Sequence, residues 1–154
     1  MKGFAQELVR AGLALPHEIR GCSKREVAKL ESYYGIRLPE AYRQFLSTMG
    51  HKAGSFYRGT DCFYRHLFDL REWMDELLAE DRSPFQLTKD AFVLSSHQGY
   101  LYHFFYTIEN NPDPPVWSYY EGEVSPKRLF ASYTDFLSGS LEDFKRMRAS
   151  YRAV

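Results

Sequence analysis

The strongest constraint on how this chain folds lies between Ser23 and Gly50, where two helices carry their own start and stop signals. Ser23, with Glu26 three residues on, forms a capping box ahead of Val27, Leu30 and Tyr34, and Gly35 ends the stripe. Leu38-Pro39-Glu40 restarts the chain with proline at a first helical position. Tyr42, Phe45, Leu46 and Met49 then recur at three- and four-residue spacing up to Gly50. The two helices form a pair with one apolar stripe each, and such stripes need a second layer to cover.

That layer is written downstream as strands. Phe63 to Phe68 alternates as a strand does, and Asp69 with Glu72 repeats the capping arrangement ahead of Leu70, Trp73, Met74, Leu77 and Leu78. Ala91 to Ser95 and Tyr100 to Thr107 are β-branched and aromatic runs joined by Ser96-His97-Gln98-Gly99, the pattern of a hairpin. The second run has Leu101, His103 and Phe105 on one face and Tyr100, Tyr102, Phe104 and Tyr106 on the other, and alternation alone leaves open which set meets the core. Pro112, Pro114 and Pro115 withhold ladder donors, so 110–115 reads as a loop before a strand at Val116 to Tyr120. Ser132 with Asp135 starts a short helix through Leu137, and Ser140 starts a last one through Leu141, Phe144, Met147 and Tyr151. At the other end of the chain, Phe4 and Leu8 give a short amphipathic helix ending before Pro16.

Helices, then hairpin-connected strands, then helices again predict an α+β fold: a mainly antiparallel, twisted sheet flanked by N-terminal and C-terminal helices. A length of 154 residues suits one domain over 1–154, with 1–20 as a helical extension. The expected core is Val27, Leu30, Leu38, Tyr42, Phe45, Leu46, Trp73, Leu77, Val93, Val116 and Phe136.

The run Val27-Ala28-Lys29-Leu30-Glu31 through Gly35-Ile36-Arg37-Leu38-Pro39-Glu40 to Tyr42-Arg43-Gln44-Phe45-Leu46 resembles the N-terminal signature of the SUKH superfamily. The likeness continues more weakly through Asp69-Leu70, the hairpin around Gly99, Pro115-Val116 and Ala131 to Leu137, and so spans about 23–144. Met49-Gly50-His51-Lys52 departs from the usual Asn-Gly-Gly, and Ser95 to Gly99 from a more acidic, glycine-rich turn. The resemblance implies a non-catalytic protein-binding domain. Bacterial relatives are immunity proteins that bind and neutralise a cognate toxin, and a fungal relative is a regulator of cell-wall synthesis, which makes a regulatory scaffold the alternative.

The residues agree with an absence of catalysis. Cys62 and His66, with Asp61 and either His97 or His103, are the best metal or thiolate–base grouping, but the spacing is one that chance supplies and no third orienting group is evident. Glu72 with Glu76, and Glu121 with Glu123, read as solvated charge rather than acid–base pairs. Gly50 to Gly54 lacks the Lys-Ser/Thr ending of a phosphate loop. No cofactor is expected. Twenty basic and twenty acidic side chains cancel, which removes the long-range field that draws proteins to nucleic acid or anionic membrane. Lys145, Arg146, Arg148 and Arg152 keep nucleic acid as a minor alternative, beside metal. Cys22 and Cys62 form no disulfide framework, charges interrupt the N-terminal apolar residues, and a cytoplasmic protein is expected.

The partner surface is expected on the hairpin turn and the acidic, aromatic stretch after it: His97, Gln98, Asp113, Trp117, Tyr119, Glu121 and Glu123. Between Ile108 and Glu123 there is no Lys or Arg, so the stretch would steer a basic toxin domain, with Trp117 and Tyr119 as anchors.

Overall fold

A computed structural model describes residues 1–152. Helices α1 (Lys2–Arg10), α2 (Lys24–Tyr34) and α3 (Glu40–Met49) come first, with the two-residue strands β1 (Ile19–Arg20) and β2 (Lys52–Ala53) paired beside them. A five-stranded antiparallel sheet follows in the order β3 (Thr60–Asp61), β4 (Ala91–His97), β5 (Leu101–Tyr106), β6 (Val116–Tyr120) and β7 (Lys127–Phe130). Helix α4 (Leu70–Glu80) lies between β3 and β4 in the chain, and α5 (Tyr133–Arg152) closes it. The fold is α+β.

Both faces of the sheet are covered, which answers the question of the β5 faces. Phe92 and Phe105, cross-strand partners, meet Tyr34 of α2, Tyr42 of α3 and Tyr133 of α5 at ring separations of 5.3–6.3 Å. On the opposite face Phe104 and Tyr119 stack under Phe85, at 5.9 and 6.4 Å. A strand covered on both sides reads as a continuous apolar run and not as an alternation. Arg71 of α4 ties the segment that leads into β4, donating to the carbonyls of Leu87, Thr88 and Ala91 and to Asp75. The N-terminal extension is packed into the same core: Leu8 is fully buried and Phe4 meets Phe56.

Ten of the expected core residues are buried; Trp73 is the exception, at 36% exposure. The inward face of α4 is made by Leu70, Met74, Leu77 and Leu78, and Trp73 stands beside that stripe and not within it. The strand expected at Phe63 to Phe68 is a 3-10 turn at Tyr64–His66, held by local bonds such as His66 N–H to Phe63 O, and the real edge strand is just upstream at Thr60–Asp61. Asp69 makes no capping bond, because the turn feeds straight into α4 and its backbone is already helical. The two C-terminal helices are one. Ser132 caps it, its Oγ accepting from Asp135 N–H at 3.0 Å, while Ser140 sits inside it and accepts from the Tyr57 hydroxyl. Gly139 is needed there for space: a Cβ would stand 2.7 Å from the Phe130 ring. Strand β7, with Lys127 and Arg128 exposed, escaped the sequence reading as a short, charged edge.

Candidate functional site

The residues expected to form one surface divide between the two ends of β6. At one end, the β4–β5 turn has Gln98 and Gly99 both at positive φ, 50° and 79°, with Tyr100 N–H donating back to His97 O. This backbone suits the twist of a hairpin, and glycine supplies one of the two left-handed positions without steric cost. Glu121 N–H donates to Tyr100 O at 2.8 Å, so the end of β6 is fixed to the turn. His97, Tyr100 and Tyr120 then form an aromatic row, with neighbouring rings 5.6 and 5.3 Å apart. Tyr120 is 49% exposed, Gln98 and Glu121 are exposed, and His97 and Tyr100 are half-buried. The Thr60 hydroxyl lies 3.2 Å from His97 Nδ1 and holds the ring in place.

At the other end, Asp113 accepts from Thr134 N–H at 2.9 Å and so caps α5 together with Ser132. Its neighbour Pro112 accepts from Ala41 N–H at the start of α3. Trp117 is half-buried, edge-on to Tyr106, and walls a shallow groove with Ile108, Glu109, Pro114 and Pro115. The two ends are about 13 Å apart along a five-residue strand.

Two of the expected contacts are corrected by the structure. Tyr119 is fully buried, with its hydroxyl donating to Asp81 Oδ2 at 2.7 Å, so it is a core residue and not an exposed anchor. Glu123 is spent within the chain: it pairs with Lys127 and accepts from Tyr120 N–H, and its carboxyl is held below the usual range first by the Lys127 bond. The continuous acidic patch therefore reduces to Glu121 at one end and Glu109 at the other. Tyr100 and Tyr120 replace Tyr119, and only the facing of β6, which alternation could not assign, separates these choices.

The candidate chemical groups are also engaged. Cys62 is buried, and burial, with Asp61 second, pushes its thiol far above the ordinary range, which removes nucleophilic character. His66 meets Asp61 at 3.4 Å and accepts from Arg65 at 3.1 Å. His103 sits in the sheet with Nδ1 2.9 Å from the Ser95 hydroxyl and its ring 5.0 Å from Phe136. Asp61 and His66 thus come together, while Cys62 turns into the core. In the basic run, Lys145 pairs with Glu142, Arg146 with Asp143, and Arg148 donates to Gly12 O; the Arg152 side chain is outside the described residues.

His103 gives a pH prediction. Burial, and then the nearby His97, lower its pKa to about 4. An unfolded histidine titrates near about 6.5, so between those values the unfolded chain binds the extra proton. The stability contribution is complete above about pH 6.5 and is lost as pH falls toward about 4. With a discount for partial exposure, the loss is about 2 kcal/mol. Urea unfolding at both ends of this window should show His103→Gln losing that much less than the parent chain; equal losses would place the titration elsewhere.

Among the described residues no helix is long and apolar enough to cross a membrane. Comparison with known families finds that the SMI1 / KNR4 family (SUKH-1) matches residues 21–139, well over half of the chain. Comparison with curated proteins finds no match.

Proposed function

The chain belongs to the SMI1 / KNR4 family (SUKH-1) of the SUKH superfamily, and from that premise we propose that it works in the cytoplasm by binding another protein, as an immunity protein that neutralises a cognate toxin, and not by catalysis. The observation that carries the binding reading is the aromatic row His97, Tyr100 and Tyr120 at the hairpin end, flanked by Gln98 and Glu121. Half-exposed tyrosines on a rigid scaffold bring large contact area at little entropic cost, and Tyr is among the residues that dominate protein interfaces. A turn bonded to the neighbouring strand presents them with little reorganisation. Non-catalytic action is supported by the engagement of Cys62, His66 and His103 in buried or structural contacts.

The test starts from the product of the reading frame beside this one, co-expressed with the chain. A stable complex that silences a toxin supports the immunity role, whereas recovery of a cell-wall or signalling assembly supports the regulatory alternative. Within a complex, Tyr120→Ala should speed dissociation roughly 10–100-fold. Glu121→Lys should chiefly slow association and alter its salt dependence. Unchanged rates in both folded variants would move the interface away from the hairpin end, and substrate turnover by the isolated chain would overturn the non-catalytic reading.

A further inference from the structure

A second cluster, independent of the partner surface, lies where the start of α2 meets the end of α3. Cys22 precedes the N-cap Ser23, Glu26 is in the first turn of α2, and His51 follows Gly50 beyond α3. The Cys22 thiol, a Glu26 carboxylate oxygen and a His51 ring nitrogen all lie within 4.8 Å of one another. Spacing alone does not reveal it, because the three residues are 4 and 25 positions apart and match no metal-ligand pattern.

The backbone holds these side chains from several directions. Cys22 N–H donates to Leu46 O at 2.7 Å and His51 N–H to Arg20 O at 2.9 Å, so both ligand-bearing residues are fastened across the gap. Gly50 lets them approach, since a Cβ there would lie 2.6 Å from Cys22 Sγ. The edge of Tyr64 meets the His51 ring at 5.3 Å while its hydroxyl donates to Glu26 O, which orients both residues. Cys22 is buried at the base, and His51 and Glu26, with side chains 20% and 36% exposed, leave an outer side open to solvent.

We propose that Cys22, Glu26 and His51 form a binding site for a borderline divalent cation, with Zn²⁺ the best match to a thiolate–imidazole–carboxylate set. Three protein ligands with an open fourth position, filled by water, is a known arrangement for this ion. On binding, the Cys22 thiol proton leaves to solvent as the sulfur–metal bond forms, and the 2.9 Å contact in which His51 Nε2 donates to the Glu26 carboxylate gives way to two metal bonds, the neutral imidazole then carrying its proton on Nδ1. Burial, and then Glu26, push the Cys22 thiol up to about 12, while Arg20 acts the other way on the thiol but repels a cation; the raised thiol and this repulsion both make the site weaker than a closed Cys-rich one. The ion would clip the start of α2 to the end of α3.

The experiment is a titration of the full chain with Co²⁺, which reports a thiolate ligand through a sulfur-to-cobalt absorption in the near ultraviolet. One equivalent should bind with that absorption and be displaced by Zn²⁺. Cys22→Ser should abolish the absorption, and His51→Ala and Glu26→Gln should each weaken binding on the order of 100-fold. Cys62→Ser should leave it unchanged. Circular dichroism and thermal unfolding of each variant without metal establish that it folds; if Cys22→Ser does not, His51→Ala, at a partly exposed position, decides the question alone. No sulfur-to-cobalt absorption at stoichiometric metal, its survival in folded Cys22→Ser, its loss in Cys62→Ser, or undiminished binding by His51→Ala would each overturn the site.

Discussion

Gly21→Ala is expected to cost about 4 kcal/mol or more, a large part of the stability of a domain this size. A Cβ at this position would stand 1.8 Å from Ser47 O, 2.3 Å from Ser47 C and 2.9 Å from Thr48 N. All three are backbone atoms of α3, so no rotamer change relieves the overlap. Nor can the two segments easily part, because Cys22 bonds to Leu46 O and Arg20 to His51 N–H on either side of the contact. Gly35→Ala is the matched comparison: nothing lies near its Cβ, but φ is 63° at the C-cap of α2, and a cost of about 1 kcal/mol follows from the left-handed backbone alone. Denaturant unfolding should show a much lower midpoint for Gly21→Ala at an unchanged slope. Equal midpoints for the two variants would mean that the close approach of 21–22 to α3 is wrong.

That contact also shows where sequence reading stops. The capping box at the start of α2 was legible because it is local: Ser23 Oγ accepts from Glu26 N–H and Glu26 accepts from Ser23 N–H, as the three-residue spacing predicts. The α2–α3 pair, the β4–β5 hairpin and ten core positions follow from signals of the same range. What failed depended on distant partners. Ser140 looks like a helix start until Tyr57 is known to bond it. Strand β7 is four residues with an exposed, charged edge, so it lacks the apolar run that marks a strand.

At the candidate surface the divide is sharper, because one residue of register decides it. His97 and Gln98 belong to the turn itself, and the bond from Glu121 N–H to Tyr100 O brings Glu121 beside them. Asp113 was placed with them by composition, yet it belongs to the cap of α5. An acidic stretch in sequence is not an acidic patch in space when one carboxylate caps a helix and another pairs with Lys127. The Cys22–Glu26–His51 grouping was illegible for the same reason as Gly21: it exists only once α3 has returned the chain to the start of α2.

Tyr119→Ala separates a core role from an interface role. The ring is fully buried on the face that carries Phe104, under Phe85, and its hydroxyl shares Asp81 Oδ2 with Gly122 N–H. That arrangement joins the end of α4 to the turn after β6, so removing the ring both empties a core volume and loosens the tie. A loss of about 3–5 kcal/mol in stability is expected, as for other buried aromatics cut to alanine. Tyr119→Phe keeps the packing and leaves Asp81 with its bond to Gly122, so about 1 kcal/mol is expected. Unfolding curves for the two variants give the stability side, and the rate of release from a bound partner, measured where each variant is still folded, gives the other. A core residue predicts Tyr119→Ala strongly destabilised and release by Tyr119→Phe unchanged, while Tyr120→Ala shows the reverse. If Tyr119→Ala instead keeps its stability and releases the partner faster, the ring faces the partner and the facing of β6 described above is wrong.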